Sequence, residues 1–244
     1  MILRLPTRPR LRARVPAASI RPFAFPAFPA IASATIAFAA IATAALLTPP
    51  LPLPLVTEAA AASDVATPGA PAPDFTLKDL DGKTHTLSEY TKQGKVVVLE
   101  WFNPDCPFVQ KHHKLTRNML DTADRYRAKG IVWLAINSGA PGMQGAGLER
   151  NRSARDEYAM DYPILLDDSG DVGRAYGAKT TPHMYVIDAK GTLVYKGAID
   201  DDRSARALGK TNYVARALDE LLAGKPVTQA ETASYGCSVK YKAS

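Results

Sequence analysis

Residues 95–102, Lys-Val-Val-Val-Leu-Glu-Trp-Phe, are apolar almost throughout, as a strand buried on both faces requires. Residues 131–136, Ile-Val-Trp-Leu-Ala-Ile, repeat that pattern. A third strand is expected over 183–188 and a fourth over 192–197, joined by a turn at Ala189-Lys190-Gly191. Upstream, Phe75-Thr76-Leu77 and Thr84-His85-Thr86-Leu87 flank Asp81-Gly82-Lys83, which predicts a small hairpin with a D-G turn. A helix is expected over 107–128: Phe108, Leu115, Met119 and Ala123 fall near helical spacing, Pro107 suits a first turn and Gly130 ends the run. A glycine-rich loop, 138–147, leads to a charged helix around 148–160. A short apolar run at 163–166, a short helix near 172–176 and a last helix over 212–222 follow. Strand–helix alternation closing in a hairpin and a helix predicts an α/β fold with a mixed sheet.

Composition narrows the class. A chain of 244 residues, 46% hydrophobic and 22% charged, can bury one or two cores and is not collagen-like, disordered or disulfide-dense. Its net charge of +6 is unevenly spread. Residues 1–58 hold six arginines, no lysine and one acid, Glu58, so they carry +5, and the remainder carries +1. The body therefore offers no electrostatic footprint for nucleic acid. The arginines precede an apolar stretch, densest over 30–47, and then Ala59-Ala60-Ala61-Ala62-Ser63, the parts of an export signal. A retained membrane anchor, an organelle transit peptide and a start downstream of Met1 are the alternatives. The organisation expected is a targeting segment at 1–62, a Pro/Ala-rich linker at 63–73, a domain at 74–223 and a tail at 224–244 carrying Cys237. The protein would then be periplasmic or secreted, or anchored to the outer face of the inner membrane. Oxidising conditions there permit its two cysteines, Cys106 and Cys237, to pair.

Cys106 lies in Asn103-Pro104-Asp105-Cys106-Pro107-Phe108-Val109, where a buried strand passes into a helix. A thiol at a helix start faces unpaired N–H groups and the positive end of the dipole, which favour the reactive thiolate. Glu100 is a carboxylate on an otherwise apolar strand, costly to bury and suited to proton transfer. Trp101 reads as core, with a substrate contact as the alternative. His112 and His113 are consecutive helix positions about 100° apart, so exposed helix surface is the plain expectation for them. The run from Glu149 to Glu157 reads as a solvated helix face. The glycine-rich loop lacks the spacing of a phosphate cradle. Cys237, between Tyr235-Gly236 and Ser238-Val239-Lys240-Tyr241, belongs to an ordered tail. It could resolve an oxidised Cys106, pair with another chain or stay free.

A buried strand ending in an acid and an aromatic, a cysteine–proline helix start, and a much later Thr181-Pro182 before a strand resemble the thioredoxin fold. Ala72-Pro73-Asp74-Phe75-Thr76-Leu77, the Asp81-Gly82-Lys83 hairpin, and Tyr185-Val186-Ile187-Asp188 with Gly191 are similar to its peroxiredoxin-like (AhpC/TSA-type) redoxin branch. So are Thr181-Pro182-His183 and the Tyr235-to-Tyr241 segment, and the likeness covers residues 72–241. It implies a thioredoxin-like sheet with an N-terminal hairpin and a central insertion. It implies that Glu100 exchanges protons with Cys106, that Pro182 is a cis-proline against that cysteine, and that Thr181, Trp101 and Pro107 border the substrate. Two departures stand out. Val109 occupies the position of a second cysteine in a C-x-x-C pair. Asn103 and Leu99 replace the hydroxyl residue and proline of a peroxide cradle.

The function expected is an exported thiol-dependent oxidoreductase acting on a peroxide or on a protein or small-molecule disulfide through Cys106, with an unidentified thiol reductant. No resident metal or other cofactor is expected. The alternatives are a copper- or zinc-binding module using Cys106 with His112 or His183, and a redox-inactive binding protein.

Overall fold

A computed structural model describes residues 65–243. The targeting segment at 1–62 lies outside the described residues. No helix among the described residues is long and apolar enough to cross a membrane.

The hairpin forms as β1 (Thr76–Asp79) and β2 (Thr84–Thr86), followed by α1 (Leu87–Lys92). The central strand is β3 (Val97–Trp101), buried along its whole length. After it come α2 (Pro107–Gln110), α3 (Asn118–Arg127), β4 (Val132–Asn137), α4 (Leu148–Tyr158), β5 (Ile164–Leu166) and α5 (Asp171–Tyr176). Then follow β6 (Thr180–Thr181), β7 (His183–Ile187), β8 (Leu193–Gly197), α6 (Tyr213–Leu222) and β9 (Cys237–Ser238).

Seven strands form one sheet in the order β2-β1-β5-β4-β3-β7-β8. β3, β4 and β5 are parallel, β7 runs antiparallel beside β3, and β8 runs antiparallel beside β7. This is the thioredoxin-like arrangement, widened by the hairpin, which pairs through β1 with β5. Alternation along β3 divides the core into two layers. Val97, Leu99 and Trp101 pack with Leu134, Tyr185 and Ile187 on one face. Val98 and Phe102 pack on the other with Trp133, Met184 and the inner faces of α3 and α6, and Cys106 belongs to this second layer.

Three expectations change. The helix expected over 107–128 is broken: α2 opens into a π-helical turn, Lys111–Leu115, and the chain then reverses at Arg117, whose φ is 53°. Thr116 N–H reaches back five residues to Lys111 O at 2.9 Å, and the wider turn buries Lys111, His112 and His113 in succession. Leu115, counted toward the apolar face, is 66% exposed. The segment expected to be a linker is packed from residue 65 onward, because its backbone pairs with the end of β8. Ala66 is buried, Gly69 N–H donates to Leu193 O at 2.8 Å and Ala72 N–H to Gly191 O at 2.9 Å. The tail, for which no strand was expected, contributes β9 to a second sheet with β6.

Asn212 ties α6 to α3. Its side-chain oxygen caps α6 by accepting from Ala215 N–H at 2.8 Å, and its amide donates to Asn118 Oδ1 at 3.0 Å and Thr122 Oγ1 at 2.9 Å. Asn212→Ala should lower the unfolding free energy by about 1–2 kcal/mol. Asn212→Asp, which keeps the cap but loses the donors, should recover only part of that, as denaturant titration would show.

Candidate active site

Cys106 is the N-cap residue of α2, in extended conformation, and is 1% exposed. The loop leading to it is held from several sides. Asn103 accepts from Asp105 N–H at 2.9 Å and donates to Gln144 O at 3.1 Å, while Tyr158 donates to Pro104 O at 2.6 Å. Arg150 of α4 pairs with Asp105 at 2.7 Å. The glycine-rich loop 138–147 therefore serves as a wall of this loop: a Cβ on Gly145 would stand 2.0 Å from Asn103 Oδ1.

The Cys106 thiol donates to Thr181 O at 2.9 Å. The Thr181–Pro182 peptide bond is cis, as the resemblance implied. Across the same two residues runs the tail: β9 pairs antiparallel with β6, Thr181 opposite Cys237 and Thr180 opposite Ser238. Gly236 makes that approach possible. Its φ is 137°, and a Cβ there would lie 2.1 Å from Thr181 O. The Cys237 side chain thereby contacts that of Cys106, and burial together with this contact pushes the Cys237 thiol up to about 12. At neutral pH Cys237 is a protonated thiol beside the helix-start cysteine.

Tyr235 anchors the tail. Its hydroxyl donates to Asp200 Oδ1 and accepts from His112 Nε2 at 3.0 Å, and its ring meets Phe108 edge-on at 5.9 Å. His112 Nδ1 is left without a partner in a buried setting. Lys111, wholly buried, donates to Asp202 O at 2.7 Å and Ser204 O at 3.0 Å and lies 3.8 Å from Asp200. Burial and the Lys111 charge push the His112 imidazole down to about 3.

Glu100 is fully buried on the Cys106 side of β3. Tyr162 donates to its Oε2 at 3.1 Å. His113 donates from Nδ1 to Val109 O at 2.9 Å, so its Nε2 faces Glu100 Oε1 at 3.2 Å. The same Nε2 lies 3.2 Å from the Tyr162 hydroxyl, so His113 and Tyr162 are the immediate neighbours of the carboxylate.

The structure brings Cys106, Thr181, Pro182 and Cys237 together, with Pro107 exposed at the rim. It does not bring Trp101 there: alternation turns that ring to the other face of the sheet, against Tyr176 and Tyr185, where it donates to Ser138 at 3.0 Å. His183 lies on that face too, 4.6 Å from the Tyr185 ring, and burial pushes it down to about 3. The pairing of Cys106 with His183 is therefore not assembled, and His112 is committed to Tyr235. Among the described residues no group of three or more His, Cys, Asp or Glu is arranged to hold a metal ion. His112 and His113 are buried, not exposed, because the π turn points both inward. Sequence reasoning gave no role to Lys111, Asp200, Tyr162 or Tyr235. A lysine beside two histidines at a helix start was the available signal for a buried polar cluster.

Two outcomes follow from this geometry. Tyr235→Phe deprives His112 of its acceptor and the tail of its link to Asp200, so Cys237 should be alkylated faster in the reduced protein. An unchanged alkylation rate would mean that Tyr235 does not hold the tail. His112 and His183 carry folded values well below the ordinary histidine value of about 6.5, so their contribution to stability is complete above that pH and is lost as pH falls toward 3. Each should add about 1.4 kcal/mol of destabilisation per pH unit below about 6.5. Melting temperature between about pH 6.5 and 5 should fall less steeply when both are replaced by glutamine.

Comparison with known proteins gives this geometry its setting. The chain is 29% identical over 125 residues to thiol-disulfide oxidoreductase ResA from Geobacillus thermodenitrificans, covering 51% of this chain and 66% of that protein. It is 30% identical over 135 residues to chloroplastic peroxiredoxin Q from Triticum aestivum, covering 52% of this chain and 57% of that one. Two solved structures superpose well. One is a hypothetical protein from Sinorhizobium meliloti 1021, with TM-score 0.67 and 31% identity, covering 74% of this chain and 98% of that chain. The other is an uncharacterized conserved protein from Geobacillus kaustophilus, with TM-score 0.66 and 32% identity, covering 74% and 95%. The model of the AhpC/TSA family matches residues 68–196, more than half of the sequence, and the chain belongs to that family.

Proposed function

We propose that this protein is an exported thiol-dependent oxidoreductase in which Cys106 attacks the substrate and Cys237 resolves the product. The observation that carries the reading is the register of β9 on β6, with Cys237 opposite the residue whose carbonyl accepts the Cys106 thiol proton. Both cysteines are free thiols, which corresponds to the reduced form.

With a disulfide substrate, the Cys106 thiolate attacks one sulfur, forms a mixed disulfide and expels the other sulfur as a thiolate. Cys237 then loses its proton and attacks Cys106 Sγ. The second substrate thiolate leaves, and a Cys106–Cys237 disulfide remains. The substrate gains two electrons, and the protons of the two cysteines go to the two departing thiolates. With a hydroperoxide, Cys106 takes one oxygen as a sulfenic acid and releases an alcohol or water. Cys237 condenses with it, and one water leaves. An external thiol reductant restores both thiols in either case. Glu100, with His113 and Tyr162, is suited to buffer the proton exchange behind Cys106. Export is supported by the charge and apolar pattern of residues 1–62, and oxidising surroundings suit a cycle of this kind.

The raised Cys237 value supports this division of labour, because a protonated resolver does not compete with Cys106 for the oxidant. The test is Cys237→Ser. A disulfide closing a loop of about 130 residues is worth roughly 5 kcal/mol in the chain-entropy model. Oxidised wild-type protein should therefore melt higher than reduced protein. The variant should show no such difference, lose turnover with a thiol reductant, and inactivate faster in peroxide as Cys106 climbs to sulfinic acid. Equal melting, turnover and peroxide tolerance in variant and wild type would overturn the resolving role.

A further inference from the structure

We infer that the oxidant reduced at Cys106 is a small molecule rather than an extended polypeptide, because the chain's own C-terminal strand fills the backbone edge that a polypeptide would need. This deepens the reading above and rests on it.

Thr180 and Thr181 form a two-residue strand whose one partner in its sheet is β9. An extended substrate is held at such an edge by adding its backbone as a strand. Here that position is taken by Cys237 and Ser238. The path is also sterically selective. Where the tail crosses the Thr181–Pro182 peptide it carries Gly236, and a Cβ at that point would come within 2.1 Å of Thr181 O and 2.8 Å of its carbonyl carbon. A polypeptide following the same track would need a glycine in that register.

The tail is fastened on both sides of the crossing. Before it, Thr232 N–H donates to Lys196 O at 3.0 Å and Tyr235 reaches Asp200 and His112. After it, Val239 N–H donates to Lys179 O at 3.1 Å, Lys240 O accepts from Ala140 N–H at 2.8 Å, and Tyr241 donates to Ala178 O at 2.8 Å. A segment tethered this way competes at an effective concentration in the millimolar range, so a micromolar polypeptide meets a disadvantage of about a thousandfold. A small oxidant faces no such competitor. It needs only a side-chain movement between Cys237 and the rim at Pro107 and Phe108, with the backbone pairing intact.

The test uses reduced full-length protein in single turnovers, quenched by alkylation and read by intact mass. The oxidants are hydrogen peroxide, hydroxyethyl disulfide, and an unfolded peptide dimerised through one cysteine. Wild-type protein should be oxidised by hydrogen peroxide or hydroxyethyl disulfide on the order of a hundredfold or more faster than by the peptide at equal concentration. Two variants unseat the tail by different routes: Gly236→Val through the clash with Thr181 O, and Val239→Pro through loss of the N–H to Lys179 O. In both, Cys106 should displace one peptide thiolate and retain the other half as a mixed disulfide, at a rate raised at least about tenfold over wild type. The inference is overturned if wild-type protein takes the peptide as fast as the better small oxidant, or if neither variant gains reactivity with it while its circular dichroism matches wild type. Failure of the underlying reading looks different: Cys237→Ser would give the same product as wild type with the small oxidant, whatever the peptide does.

Discussion

The close crossing of Gly236 over the cis Thr181–Pro182 peptide is the contact on which the site depends. It is backbone against backbone, with no room for a Cβ, and it fixes the register in which Cys237 faces Thr181. The same carbonyl accepts the Cys106 thiol, so one peptide group locates both sulfurs. Two cysteines 131 residues apart in sequence are thus held together by a two-residue sheet. A one-residue slip of the tail would turn Cys237 to the other side of its strand.

So short a pairing does not hold the tail alone: backbone bonds at Thr232, Val239 and Lys240 and the Tyr241 hydroxyl flank it, and the polar cluster under Tyr235 anchors it from below. Burying Lys111, His112 and Asp200 is costly unless each is hydrogen-bonded. The π turn solves this by presenting three consecutive side chains inward. Lys111 and His112 reach toward the tail, and His113 reaches back to Glu100 and Tyr162. A regular α-helix over the same residues would put one of them into solvent. The turn therefore joins the resolving side of the site to the proton-handling side through adjacent residues of one short segment, starting at the helix that Cys106 caps.

The sheet was legible because its strands are written in long apolar runs. β3, β4, β7 and β8 begin within two residues of the runs expected from 95, 131, 183 and 192, and the D-G turn marked the hairpin. The position of Cys106 was legible from the strand-to-helix junction and Pro107. The break at Arg117 was not, since no glycine or proline marks it and Leu115 preserved the helical spacing while pointing outward. Trp101 was legible as core and misleading as a contact, because the alternation of β3 turns it from Cys106. The strand β9 was hidden for a different reason: two residues carry no periodicity, and what fixes them is the absence of a side chain at Gly236 and the partners of Tyr235. His112 and His113 drew attention as exposed residues or metal ligands when their role is to be buried and bonded.

The central claim is that oxidation of Cys106 is completed by Cys237 of the same chain. Intact mass and peptide mapping under non-reducing conditions, after one equivalent of oxidant is added to dilute reduced protein, test it directly. The account predicts a monomer lighter by about 2 Da in which the peptide bearing Cys106 is linked to the peptide bearing Cys237. A sulfenic acid retained on Cys106 with Cys237 still free, or a dimer joined through Cys237 of two chains, would contradict it.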